Sequence, residues 1–215
     1  MAEAKEEFAK PRARMVERQI AARGISDPAL LAAMRAVPRH RFVAPEIARH
    51  AYEDRPLPIG ADQTISQPYI VALMIDAAEL GPGDRVLEIG AGSGYAAAVM
   101  GMMADKVFAI ERHEELAAAA RRRIAELGFG NVEIVCGDGT RGLPEHAPFD
   151  AILVAAAGAR VPEALRDQLA EGGRLVMPVG RRDVQKLVRI ERTPRGFAER
   201  DLGGVRFVPL IGDPD

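Results

Sequence analysis

Cysteine is almost missing from these 215 residues: Cys136 stands alone. A single thiol excludes an internal disulfide and fits a reducing compartment. It closes the apolar run Val132 to Val135, where a packed core thiol is expected rather than a nucleophile. Charge of one sign is also lacking, with 29 Lys plus Arg against 31 Asp plus Glu and a net charge of −2. No overall field would hold a polyanion, so nucleic acid is not an expected partner. A mild basic excess over residues 1–55 reads as solvated helix faces. Long hydrophobic runs are absent too. The longest uncharged stretch, Gly90 to Ala104, is rich in Gly and Ala and falls short of the roughly 20 residues a bilayer span needs. Met1 to Arg18 is dense in charge and has no apolar core of signal-peptide type. A soluble, cytoplasmic protein with no membrane partner is the expectation. His40, His50, His113 and His146 are far apart and show no metal-ligand spacing, so no metal is expected. Without coiled-coil heptads a monomer is expected.

What the chain does have is a strand, a glycine turn and a helix in immediate succession. Val86 to Ile89 reads as a buried strand, Gly90-Ala91-Gly92-Ser93-Gly94 as a tight turn, and Tyr95 to Met103 as an Ala-rich helix. Glycine permits positive φ and lets a ligand approach the main chain, which makes this turn a nucleotide-cofactor candidate. The dinucleotide fingerprint G-x-G-x-x-G would place its third glycine at position 95, where Tyr95 stands. The acidic Glu88 before the turn would also repel a pyrophosphate. Lys106 to Glu111 reads as the second strand, ending in an acid about 20 residues past the first glycine, the position that accepts hydrogen bonds from ribose hydroxyls. Glu111 supports an adenosine ligand without choosing between NAD and S-adenosylmethionine, and an ordinary exposed capping glutamate is its structural alternative.

Strands and helices go on alternating. His113 to Leu127 reads as a helix, Val132 to Cys136 as the third strand, Phe149 to Val154 as the fourth, Val161 to Ala170 as a helix and Arg174 to Val179 as the fifth strand. That order implies an α/β fold, a doubly wound, mostly parallel Rossmann-like sheet with helices on both faces. Gln185 to Glu191 and Phe197 to Val208, around the turn Thr193-Pro194-Arg195-Gly196, read as antiparallel strands closing the sheet. Upstream, residues 3–23 suggest one amphipathic helix broken near Pro11, and Asp27-Pro28 opens a second. Residues from Val37 to Gly60 lose periodicity and read as a long surface loop, ordered over the site. A single domain over 1–215 is expected. Its parts are an N-terminal helical part at 1–55, a substrate loop at 56–68, a cofactor-binding core at 69–180 and antiparallel strands at 181–215.

Four further stretches carry a resemblance. Val37-Pro38-Arg39, Pro56-Leu57-Pro58-Ile59-Gly60, Gln63-Thr64-Ile65-Ser66-Gln67-Pro68 and Leu87-Glu88-Ile89-Gly90 closely resemble the protein-L-isoaspartate O-methyltransferases. That family is part of the class I S-adenosylmethionine-dependent methyltransferase superfamily. The likeness runs on through Gly137-Asp138-Gly139, Ala147 to Ile152, Gly172 to Leu175 and Arg206 to Leu210. Two positions depart from it: Asp62 stands where many members carry glycine, and Ala155 where bacterial members often have threonine.

The resemblance implies methyl transfer from S-adenosylmethionine to the α-carboxylate of L-isoaspartyl residues in damaged proteins and peptides, leaving S-adenosylhomocysteine. It assigns Gln63, Thr64, Ile65, Glu88, Gly90, Gly92, Gly94, Glu111, Arg112, Asp138 and Gly139 to the cofactor, with Asp138 at the adenine edge. It assigns Ile59, Gly60, Ser66 and Val208 to the substrate, and Ser66 to catalysis through its hydroxyl. Main-chain groups of Val208-Pro209-Leu210 are expected to pair with an extended peptide. A carboxylate is ionised at neutral pH and needs no general base, which agrees with the lack of a His or Cys constellation. On residues alone, Ser66 serves equally as a helix-start residue and Asp138 as a turn aspartate. A carboxyl methyltransferase with one dedicated peptide, a silent adenosine-binding protein and a hydride-transferring enzyme are the rival readings.

Overall fold

In the computed structural model, which describes residues 7–181 and 184–212, Gly24 at φ +97° stops an N-terminal helical stretch that begins at Ala9. Helix α1 (Ala9–Met15) passes into a π-helical turn, Val16–Ile20, and a 3-10 turn, Ala21–Arg23. Pro11 does not break it. It sits in the first turn, where its missing N–H would have no partner in any case. The expected residues 3–6 of this helix lie outside the described residues. Helix α2 (Pro28–Ala36) starts as expected, with the Asp27 side chain accepting from Ala29 N at 2.8 Å and Pro28 in the first turn.

The expected long surface loop is broken up by short regular elements. Arg39–Phe42 and Pro45–His50 are 3-10 helices, and strands β1 (Leu57–Gly60) and β2 (Gln63–Ile65) form an antiparallel hairpin. Short 3-10 turns have no long hydrophobic period to betray them. Arg39, Phe42, Ala51 and Leu57 are buried all the same. Helix α3 (Pro68–Ala78) follows, packing Val71, Ala72, Met74 and Ile75 inward.

Strand β3 (Arg85–Ile89) lies inside a seven-stranded sheet, third from one edge, and is buried on both faces, as its continuous apolar run requires. Val86 joins one hydrophobic cluster; Leu87 and Ile89 join the other, across the sheet. After helix α4 (Tyr95–Gly101), β4 (Lys106–Glu111) pairs parallel to β3; after α5 (Glu114–Glu126), β5 (Val132–Cys136) pairs parallel to β4. The chain then crosses to the other side of β3, where β6 (Phe149–Val154) pairs parallel to it. This reversal opens a crevice at the carboxyl ends of the strands, the usual ligand position in such sheets.

Helix α6 (Glu163–Asp167) is shorter than expected, and β7 (Leu169–Arg181) starts inside the expected helix. Leu169 already pairs with Phe149, and both are fully buried, so the chain is extended before it reaches Gly172-Gly173. Strands β8 (Val184–Thr193) and β9 (Gly196–Val205) complete the order β5-β4-β3-β6-β7-β8-β9, with β7–β8 and β8–β9 antiparallel. The expected antiparallel end is therefore present, though Val208 lies beyond it. Cys136 is half-buried rather than packed inside, with Sγ 3.8 Å from Arg112 O. No helix among the described residues is long and apolar enough to cross a membrane.

Candidate active site

The glycine turn leaves β3 with Gly90, Gly92 and Gly94 all at positive φ (+89°, +53° and +87°). Four of its five amides are used inside the protein, that of Gly94 on Ala91 O at 2.8 Å. Gly90 N and Ala91 N both donate to Ile110 O, at 2.8 and 3.0 Å, and Gly92 N donates to Glu111 Oε2 at 2.8 Å. A loop that cradles phosphate instead aims its amides at the ligand, so this turn is not built for a pyrophosphate. Glu111 Oε1 accepts from His113 N at 2.9 Å. Each carboxylate oxygen keeps a second acceptor site, and the buried Glu111 lines the crevice.

Glu88, at the end of β3, is buried, and its Oε2 has no hydrogen-bond partner among the described residues. Burial, with Glu111 adding repulsion, pushes its carboxyl up to about 8. It is therefore held largely protonated near neutrality until a cation reaches it.

Hairpin β1–β2 lies over this turn. A Cβ on Gly92 would come within 3.2 Å of Ile59 Cδ1, so a side chain there would push the Ile59 side chain back by a few tenths of an ångström. After β2, Ser66 is only partly buried and its carbonyl accepts from Arg39 Nη2 at 2.7 Å. The opposite wall is a strap, residues 207–211, tied to the end of β6. Ala157 N donates to Val208 O and Leu210 N to Ala157 O, both at 2.8 Å.

A space of about 1070 Å³, open solvent at its mouth included, lies between these elements. Gln63, Thr64, Ile65, Ser66, Glu88, Gly90, Gly92, Glu111, Arg112, Gly139 and Val208 all line it, so most of the expected residues are brought together. A second, open groove of about 1530 Å³ runs alongside, bounded by Gln67, Ile70, Gln185 and Arg206. Thr64, Ser66, Ala155 and Val208 line both.

Not every expected residue lines this space. Gly94 is not in the cavity wall: it begins α4, and a Cβ there would press to 3.4 Å on Ala120 of α5. Asp138 is not in the wall either. Its Oδ1 accepts from Thr140 N at 2.9 Å and from Thr140 Oγ1 at 2.7 Å, capping the turn that holds Gly139 at the cavity. Ile59 covers the glycine turn and Gly60 sits over Leu116, so neither lines either space. Leu210 N is already bonded to Ala157, and Val208 O accepts from Ala157 N while keeping a second acceptor site. Tyr95, Met74 and Ile75 also line the cavity. In the sequence Tyr95 stands out as a break in a glycine pattern and as the first residue of a helix, not as a cavity residue. An aromatic directly after the last glycine, at a helix start, was the signal available.

Comparisons with known proteins agree with this geometry. The family model described as protein-L-isoaspartate(D-aspartate) O-methyltransferase matches residues 10–214. A protein-L-isoaspartate O-methyltransferase of Methylorubrum populi is 62% identical over 201 residues, covering 93% of this chain and 94% of that protein. Another, from Syntrophobacter fumaroxidans, is 54% identical over 205 residues, covering 95% and 96%. A Plasmodium falciparum crystal structure assigned as a protein-L-isoaspartate O-methyltransferase, in complex with S-adenosyl-L-homocysteine, is similar at a TM-score of 0.82 and 28% identity, over 94% of this chain and 99% of that one. The chain belongs to the protein-L-isoaspartate(D-aspartate) O-methyltransferase family.

Proposed function

We propose that this chain methylates the α-carboxylate of L-isoaspartyl residues in damaged proteins and peptides, using S-adenosylmethionine and leaving S-adenosylhomocysteine. The observation that carries this reading is the pair of spaces sharing Thr64, Ser66, Ala155 and Val208. One has the acid pair and glycine turn of a nucleoside site; the other is an open groove suited to a peptide. The residues fit the cofactor. The orphaned, buried Glu88 oxygen suits an ammonium, the free acceptor sites of Glu111 suit ribose hydroxyls, and the inward-turned amides disfavour a phosphate. When bound, S-adenosylmethionine supplies an electrophilic methyl group on a sulfonium.

The protein's own residues align and dehydrate. Gln63, Thr64 and Ile65 of β2, Gly90 and Gly92 of the glycine turn, Arg112 and Gly139 line the space and would hold the cofactor there. Gly94 and Asp138 act from behind, by seating α4 and by holding the Gly139 turn. Ser66 donates its hydroxyl to the substrate carboxylate and orients it; it is not a nucleophile. The acceptor is ionised at neutral pH, so no side chain has to remove a proton. Positioning, and exclusion of water from a carboxylate that loses charge as it reacts, are what the site contributes. The methyl ester then cyclises to a succinimide whose hydrolysis returns some normal aspartate, so repair needs no further catalysis. The enzyme works as a cytoplasmic monomer on protein substrates, as one methyltransferase unit with neither nucleic acid nor membrane as partner.

Two synthetic peptides that differ only in L-isoaspartate against L-aspartate test this, with methyl-labelled S-adenosylmethionine. Base-labile label on the isoaspartyl peptide alone is the expected result. Label on both equally, or on neither while S-adenosylhomocysteine still binds, would overturn the substrate assignment.

A further inference from the structure

Arg39 has 0% solvent exposure, and a guanidinium is costly to bury unless its donors are met. Nε donates to Ala51 O and Nη2 to Ser66 O, each at 2.7 Å, and Cζ lies 4.8 Å from the centre of the Tyr95 ring. Nη1 has no hydrogen-bond partner among the described residues. Asp54, a carboxylate whose charge reaches Arg39, is itself paired with Arg23 at 3.0 Å. The cation is therefore held by two carbonyls and a ring rather than by an acid.

Those contacts join three separate pieces of chain. Ala51 follows the second 3-10 helix, Ser66 lies where the two spaces meet, and Tyr95 opens α4 and lines the cofactor cavity. One rigid fork thus spans the substrate side and the cofactor side. Building on the role given to Ser66 above, we propose that Arg39 is a positioning residue: by holding the Ser66 carbonyl against a fixed support on Tyr95, it sets where the Ser66 hydroxyl meets the substrate carboxylate. The physical need is clear, because a misplacement of about 1 Å in a reacting group can cost about 100-fold in rate. Burial lowers the guanidinium to about 10, so it stays charged at neutral pH.

A double-mutant cycle between Arg39→Lys and Ser66→Ala tests this. Lysine keeps a charge but has no planar fork, so it cannot hold both carbonyls in the same geometry. In the wild-type background R39K should lower kcat on an isoaspartyl peptide by about tenfold or more, with the peptide KM and the calorimetric affinity for S-adenosylhomocysteine within about threefold. In the S66A background the same change should cost less than about twofold, because the group it positions is gone. A residue with a merely structural role would impose the same penalty in both backgrounds, and that outcome overturns the proposal. So does wild-type kcat in R39K while S66A is impaired, which leaves the role of Ser66 standing. Full turnover in S66A would instead remove the role of Ser66 itself, and with it the route proposed for Arg39. If R39K loses a cooperative melt, R39Q replaces it in the cycle, with the same expectations.

Discussion

Glu88 shows how much one residue can carry. It sits at the end of β3 with one oxygen unpartnered, and burial holds its carboxyl near 8 against an ordinary 4.5. The native protein therefore keeps this proton between about pH 4.5 and 8, where the unfolded chain has lost it, so stability without cofactor falls as pH rises through that window. Glu88→Gln cannot ionise and is free of this penalty. Its melting temperature relative to wild type should be higher at pH 8 than at pH 5, by the equivalent of roughly 3 kcal/mol. Thermal melts at the two pH values, without cofactor, check this, and an equal gap at both would mean the native carboxyl is already ionised at pH 5. The same variant should bind S-adenosylhomocysteine about tenfold more weakly at pH 8, having lost an anion opposite the ammonium. Glu88 and Glu111 were both legible in the sequence, because an acid at the end of a strand beside a glycine turn is a local pattern. Arg39 was not: its partners are 12, 27 and 56 positions away, and only packing brings them together.

At the scale of elements, hairpin β1–β2 is the piece the sequence concealed. Its strands are short, four and three residues, and they alternate too briefly for a period to register. Its tip is Gly60-Ala61-Asp62, all at positive φ: +98°, +49° and +54°. The usual glycine at position 62 now has a physical reason, since that backbone is left-handed; aspartate tolerates it better than most residues, and alanine poorly. Ala61→Gly should therefore stabilise the protein by about 1 kcal/mol and Asp62→Gly by about half that. Urea midpoints read the order, and hydrogen exchange at the Gln63 and Ile65 amides reports whether the hairpin itself gains. A larger gain from Asp62→Gly than from Ala61→Gly would show that charge at the tip, rather than backbone strain, sets the cost.

Across the whole molecule, the far edge of the sheet reaches back to build the site. The chain leaves β9 and returns as the strap, which Gln185 of β8 grips from both sides. Phe207 N donates to Gln185 Oε1 at 2.6 Å, and Gln185 Nε2 donates to Phe207 O at 3.1 Å. Gln185 is buried, so Gln185→Ala strands two main-chain groups at a cost of roughly 1–3 kcal/mol. The peptide KM should rise about fivefold to tenfold while S-adenosylhomocysteine affinity changes less, because the glycine turn, Glu88 and Glu111 do not depend on this grip. Steady-state kinetics and calorimetry on the one variant separate the two. The sequence by itself determined that the core strands run mostly parallel, the antiparallel end, the glycine turn with its two acids, and the segment holding Ser66. Each of these is a local pattern of period, glycine or charge within a few residues. Only the tertiary structure decided that Asp138 and Gly94 stand outside the cavity wall, that Val208 O and Leu210 N meet Ala157, and that Arg39 holds the Ser66 carbonyl. Those outcomes depend on which donors and acceptors meet once distant segments pack, and hydrogen bonds between distant segments leave no periodic trace in the chain.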